Sequence, residues 1–159
     1  MKINIDGSFC KETGTGGWGI CIRDYNGDVC GAGMGQIAHV ADALQAETIA
    51  CLKAIEFASE LGMGRIIIET DATLLKSALQ SSEFDLSRNG VLFREAKFQL
   101  LTNFIDYKVM YCKRACNIVA HVLATNGASL VSGAVMLWHD LVPDFVSLVV
   151  ASDLAATDQ

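Results

Sequence analysis

Proline is nearly missing from this chain: Pro143 is the only one in 159 residues, and no internal repeat or low-complexity tract is visible. Charge is also scarce, at 19% of residues against 52% hydrophobic, which excludes an intrinsically disordered chain and suits one core-forming domain. Positive charge is scarcer still. Twelve Lys and Arg face eighteen Asp and Glu, a net −6, which counts against a generic nucleic-acid binder because phosphate contacts need cations to displace counterions. No apolar run reaches the ~18 residues of a membrane span. The best candidate, residues 130–151, is broken by His139, Asp140, Pro143 and Asp144, so no membrane partner is expected. The opening residues Met1-Lys2-Ile3-Asn4-Ile5-Asp6-Gly7 contain no export-type apolar run, and an intracellular location, cytoplasmic or nuclear, is the expectation. The six cysteines (Cys10, Cys21, Cys30, Cys51, Cys112 and Cys116) are scattered through apolar stretches and read as reduced core residues.

What is present is a strand and helix rhythm. Residues 2–6 predict a short strand, residues 10–17 a glycine-rich turn, and residues 18–23 a second strand. Tyr25-Asn26-Gly27-Asp28 follows, and Asn-Gly between apolar runs is a strong hairpin signal. A third strand over residues 29–35 completes an antiparallel meander, its far end weakened by Gly31, Gly33 and Gly35. From Asp42 the hydrophobic period lengthens to about 3.6, and Leu44, Glu47, Cys51, Ala54 and Ala58 fall on one helical line between an Asp42 N-cap and a Gly62 stop. Arg65-Ile66-Ile67-Ile68-Glu69-Thr70-Asp71 then reads as a buried strand. A helix over 72–79, a polar linker over 80–87, a helix over 89–101, a strand over 105–112 and a helix over 117–130 follow. This order predicts an α/β fold with a five-stranded mixed sheet, three antiparallel strands then two parallel, and helices on both faces. Residues 133–159 carry Asp140, Asp144, Asp153 and Asp158 with no Lys or Arg. The expected organisation is a domain over 1–130 and an acidic C-terminal extension over 131–159, helical around 144–155 with a loose end.

Two motifs are rejected. Gly14-Thr15-Gly16-Gly17-Trp18-Gly19 satisfies G-x-G-x-x-G, but a strand pattern follows it, whereas a dinucleotide site must open a helix that receives the pyrophosphate. With no Gly-Lys-Ser/Thr sequence either, no nucleotide cofactor is expected. Cys112, Cys116 and His121 lack the fourth ligand and the tighter spacing of structural zinc.

The informative feature is three acids on core-facing lines: Asp6 at the end of the first strand, Glu47 within the first helix, and Asp71 at the end of the Ile-rich strand. Carboxylates are rare in such places unless something pairs with them. In open α/β sheets, sites form beyond the carboxyl ends of strands, where Asp6 and Asp71 would meet if their strands are neighbours. Three acids without a neighbouring cation repel one another, and divalent ions relieve that repulsion. Oxygen-only ligands favour magnesium, with manganese as the alternative, and two such ions suit phosphodiester hydrolysis.

The sequence resembles the type 1 ribonuclease H family, most closely its compact plant and plant non-LTR retroelement form. The resemblance rests on Asn4-Ile5-Asp6-Gly7-Ser8-Phe9, Gly17-Trp18-Gly19-Ile20 leading into Ile22-Arg23-Asp24, Ala46-Glu47, Glu69-Thr70-Asp71, and Arg114 to Ala124, in order from about residue 3 to 128. It implies metal-dependent cleavage of the RNA strand of RNA/DNA hybrids by a two-metal mechanism, with Asp6, Glu47 and Asp71 as the metal ligands. Gly7 and Ser8 would lie against the RNA strand, whose 2′-hydroxyls distinguish it from DNA. The family's fourth acid, four residues after Asn117, is His121 here. An imidazole there can ligate, orient water or carry a proton, and completes a catalytic set of Asp6, Glu47, Asp71 and His121.

Two other family features are missing: a His in the loop before the last helix, and the basic protrusion between the middle helices, where only residues 80–89 intervene. Arg114 and Lys113 are the expected phosphate contacts, with Asn117 beside them in the substrate-binding set and Lys76, Arg88, Arg94 and Lys97 as weaker candidates. Residues 86–114 carry a net +4, a basic flank hidden in the total of −6. An RNA/DNA hybrid is the expected partner of a monomeric enzyme. The alternative is a catalytically weak or inactive retroelement-derived domain that serves as a protein-interaction module.

Overall fold

An Asn-Gly turn, an early glycine turn and a long amphipathic helix set the frame of the computed structural model, which describes residues 1–157 and side chains as far as Asp153. Asp158, one of the acids of the C-terminal stretch, lies outside the described residues. Strands β1 (Lys2–Cys10), β2 (Thr15–Arg23) and β3 (Val29–Ile37) form the antiparallel meander. Between β2 and β3, Gly27 takes φ 88°, and the Asp24 carboxylate accepts the N–H groups of Asn26 and Asp28 at 2.8 and 3.0 Å. β1 runs four residues beyond its predicted end at Asp6, because β2 offers a partner for each position through Cys10, opposite Thr15. Asp6 therefore lies in mid-strand.

Helix α1 (Ala43–Glu60) begins where Asp42 Oδ1 accepts the Gln45 N–H at 2.7 Å, and stops at Gly62, φ 72°. The remaining elements are β4 (Arg65–Thr70), α2 (Thr73–Gln80), α3 (Gly90–Asn103), β5 (Asp106–Tyr111), a 3-10 turn over Arg114–Cys116, α4 (Ile118–Ala128), β6 (Val135–His139) and α5 (Asp144–Thr157). The sheet order is β5-β4-β1-β2-β3-β6, with β4 parallel to both β1 and β5. Pairing of β1 with β4 covers only Lys2 to Asn4, the last pair being Asn4 with Glu69. Beyond it β4 ends while β1 continues, so a crevice opens beside Asp6. Asp71, the residue after β4, is at its mouth.

The two sheet faces have separate cores. Ile3, Ile5, Ile20, Ile68, Ile55 and Phe57 lie in the core on the side of α1, α2 and α3, whereas Cys21, Ala32 and Met34 meet Val119, Leu123 and Val146 of α4 and α5. The glycines of the rejected nucleotide motif explain how α4 sits so near. A Cβ on Gly17 would fall 2.2 Å from Ala124 O, and one on Gly19 2.3 Å from Ala120 O, so α4 rests on bare β2 backbone.

Two expectations are corrected. The sheet has six strands, not five, because Val135–His139 pairs antiparallel with β3, from Gly35 opposite Val135 to Gly31 opposite His139. The β3 glycines that weaken a strand in isolation make room here for neighbours. A Cβ on Gly35 would strike the Trp18 ring, and one on Gly33 would meet Leu137. Among the cysteines, all free, Cys21, Cys51 and Cys112 are buried as expected and Cys10 and Cys30 partly so, but Cys116 is exposed at the end of the 3-10 turn. Among the described residues, no helix is long and apolar enough to cross a membrane.

Candidate active site

The three sequence-predicted acids meet. Asp6 from β1, Glu47 from α1 and Asp71 after β4 each present a carboxylate oxygen, all within 4.8 Å of one another. Asp6 points to the α4 face of the sheet, while Glu47 arrives from the helix on the other face. Gly7 makes that approach possible, since a Cβ there would fall 2.4 Å from the Glu47 backbone nitrogen.

Asp6 is 1% exposed and Glu47 9%. Burial pushes the Glu47 carboxyl up to about 9, the charge of Asp6, a hydrogen bond shared with Asp6 and then the charge of Asp71 adding to the effect, and a Gly7 backbone hydrogen bond opposing it. Asp6 Oδ1 and Glu47 Oε2 are both buried without a hydrogen-bond partner. Buried carboxylate oxygens nearly always have partners, and two orphans in one cluster match the donor set of a hard divalent cation. The residues present therefore fit such an ion.

His121, on the first turn of α4, places Nδ1 2.7 Å from Asp6 Oδ2, its side chain 41% exposed. Arg114 spans the entrance, donating to Asp71 Oδ2 at 3.3 Å and lying 2.8 and 3.2 Å from the His121 ring nitrogens. A cavity of about 460 Å³ leads out from Glu47 and Asp71 between Leu44, Leu74, Tyr111 and Arg114.

The other expected substrate residues are divided. Gly7 and Ser8 follow Asp6 on β1, half-buried, and Lys113 is exposed beside Arg114. Asn117, expected against substrate, is 1% exposed instead. Its amide donates to Ile5 O at 2.8 Å and accepts from Asn4 at 3.2 Å, so its polar atoms are spent on fastening α4 to β1. Lys97 is engaged by Asp85 and Ser81 O, Arg88 faces Asp42 at 3.9 Å, and Arg94 Nε bonds Gly90 O.

The sequence reading missed what lies beneath the acids. Asn4 Nδ2 also donates to Glu69 Oε2 at 3.1 Å, and Lys2 pairs with Glu69 at 3.2 Å. Two polar residues alternating with Ile3 and Ile5 were the available signal. Nothing in the sequence marked Leu74 or Tyr111.

Comparison with known proteins places this geometry. The reverse transcriptase-like family matches residues 4–127. Among solved structures, RNase H1 from the halophilic archaeon Halobacterium salinarum is 27% identical, covering 80% of this chain and 95% of that one with a TM-score of 0.66. An RNase H1 isolated from compost, solved in complex with an RNA/DNA hybrid, is 18% identical over 77% of this chain and 92% of that one, TM-score 0.70. The N-terminal RNase H domain of a Mycobacterium tuberculosis protein is likewise 18% identical, over 80% and 91%, TM-score 0.70. No curated protein matches. With three acids gathered where β4 ends and β1 continues, and more than half its length matched, the chain belongs to the reverse transcriptase-like family and is an RNase H-like domain.

Proposed function

We propose that this domain is a metal-dependent endonuclease that hydrolyses the RNA strand of RNA/DNA hybrids. The observation that carries the reading is the pair of orphaned, buried oxygens, Asp6 Oδ1 and Glu47 Oε2, within the three-acid cluster. Asp6, Glu47 and Asp71 would hold Mg2+, or Mn2+ in its place. When bound, such ions activate a water and stabilise the leaving oxygen of the phosphodiester.

The chain's own groups have separate tasks. His121 orients Asp6 through the Nδ1 contact and, being partly exposed, can take or return a proton at Nε2. Arg114, 62% exposed, presents guanidinium N–H groups to a phosphate at the entrance, with Lys113 adding charge beside it. Gly7 and Ser8, next to Asp6 on the same strand, are the segment against which RNA 2′-hydroxyls would lie. Within the family, the motifs favour the compact plant and retroelement form.

Two observations favour the weaker-enzyme alternative. Asp71 is already engaged by Arg114, and the fourth ligand position is a His without a fixed charge. A cleavage assay on a hybrid with labelled RNA, in magnesium and in manganese, decides between them, with Asp71→Asn as control. RNA cleavage above the control in either metal is expected. Its absence in both overturns the enzyme reading and leaves the interaction module.

A further inference from the structure

The two edges of the sheet are treated differently. At the β5 edge, Asp106 and Lys108 lie on the strand and the Gln80 amide donates to Val109 O at 3.0 Å, so that edge is charged and partly capped. At the other edge, β6 reads Val135-Met136-Leu137-Trp138-His139, with no Lys, Arg, Asp, Glu or Pro. Val135, Met136 and Leu137 are 50%, 41% and 40% exposed. The strand lies beyond residue 127, where the family match ends.

The hydrogen-bond phase of β6 says what its edge offers. Gln36 N–H bonds Ala134 O at 2.9 Å, and Asp140 N–H bonds Cys30 O at 3.3 Å. In an antiparallel ladder alternate residues bond the same neighbour, so the even-numbered positions face β3. The N–H and C=O groups of Val135, Leu137 and His139 therefore point outward.

We infer that β6 pairs antiparallel with β6 of a second copy of this chain about a two-fold axis at Leu137, joining two sheets into one of twelve strands. The register is self-complementary: Leu137 meets Leu137, Val135 meets His139, and Met136 meets Trp138. Each opposed pair shares a sheet face, and the two outward Leu137 groups bond reciprocally. Next to the seam, on the α1 side, lies a cavity of about 120 Å³ with an apolar wall of Trp18, Phe57, Val135 and Leu137 and a charged one of Lys53, Glu56 and Glu60.

The paired strands themselves carry no Lys, Arg, Asp or Glu, even though each copy carries −6, and beside them Lys53 offsets Glu56 at 3.4 Å. The flanking acid, Asp140, falls opposite Ala134, so the two Asp140 side chains are six residues apart along the seam. At ~3.4 Å per residue that is about 20 Å, beyond a Debye length at physiological salt. The seam lies at the β3 side of the sheet, away from the β1–β4 crevice, and leaves both candidate sites open. Such a dimer would replace the monomer expected from the sequence.

Sedimentation equilibrium of the full chain across a dilution series tests the inference. The expected result is a reversible species of twice 17.1 kDa at high concentration. Leu137→Lys and Leu137→Glu, each alone, place like charges opposite one another and should abolish it, while an equal mixture of the two restores a dimer. Hydrogen exchange on the unmodified chain is the second measurement, with the amides of Val135, Leu137 and His139 becoming protected as concentration rises. A monomer at every concentration, a dimer that survives both single variants, a mixture that stays monomeric, or amides indifferent to concentration overturns the inference. The first of these would leave the edge to a strand from a different protein.

Discussion

His121 Nδ1 lies 2.7 Å from Asp6 Oδ2, so the residue standing where relatives are expected to carry an acid is fastened to the most deeply buried acid of the cluster. A proton on Nδ1 makes the imidazole the donor to Asp6, and Arg114 Nη2, 2.8 Å from Nδ1 and 3.2 Å from Nε2, crowds that same edge of the ring. His121→Asp exchanges that donor for a fourth carboxylate. The expected outcome is divalent-cation affinity raised by about tenfold, or ~1.4 kcal/mol, in titration calorimetry, together with a less stable metal-free protein. Unchanged affinity would place position 121 outside the site.

Glu47 gives the metal-free protein a pH dependence of definite sign. Its carboxyl titrates near 4.5 when unfolded and near 9 when folded, so between those values the folded state holds a proton that the unfolded state has released. The stability that Glu47 contributes is fully present below the lower value and is lost as pH rises towards the upper one. Thermal melts in chelator should show this decline, and Glu47→Gln should flatten it. Added magnesium reverses the trend, since a bound cation favours the ionised carboxylate.

Gly7→Ala is the sharpest small change available. Its methyl would fall 2.4 Å from the Glu47 backbone nitrogen, forcing α1 away from β1. Destabilisation of roughly 1–3 kcal/mol is expected, with divalent binding weakened in step. Gly27→Ala is the contrasting case: nothing lies within 4 Å, so any cost comes from φ 88° alone and leaves the three-acid cluster untouched.

Arg114→Ala removes an exposed cation that contacts both Asp71 and His121. Hybrid affinity, followed by fluorescence anisotropy at several salt concentrations, should fall, and the slope of log K against log salt should shrink by about one. An unaltered slope would mean that Arg114 serves the acids and not a phosphate.

The acids were readable because each sits on an apolar line where a carboxylate is costly, and because the strand order makes Asp6 and Asp71 neighbours. Element types were readable too, through the change of period at Asp42 and the Asn26-Gly27 turn. What escaped was set by contacts distant in sequence. The length of β1 depends on β2 partners as far as Thr15, and β6 is a strand because β3 offers it an edge. Asn117 looked like a ligand-facing polar residue at a helix start, yet its partners, Ile5 O and Asn4, lie more than a hundred positions away. The glycines of β3 read as weakness until Trp18 and Leu137 filled the space above them.

The seating of α1 at Gly7 and of α4 at Gly17 and Gly19 has a mechanical consequence. Where backbone touches backbone, no side chain can swing to absorb a misfit, so the spacing between the backbones that carry Glu47 and His121 is set before anything binds. A molecule entering the crevice meets a rigid gauge and must supply the adjustment itself. On the function proposed above, selection among duplexes would follow the energy each needs to bend and to alter its groove width, making pliability of the guest, as much as its hydroxyl groups, a criterion for acceptance.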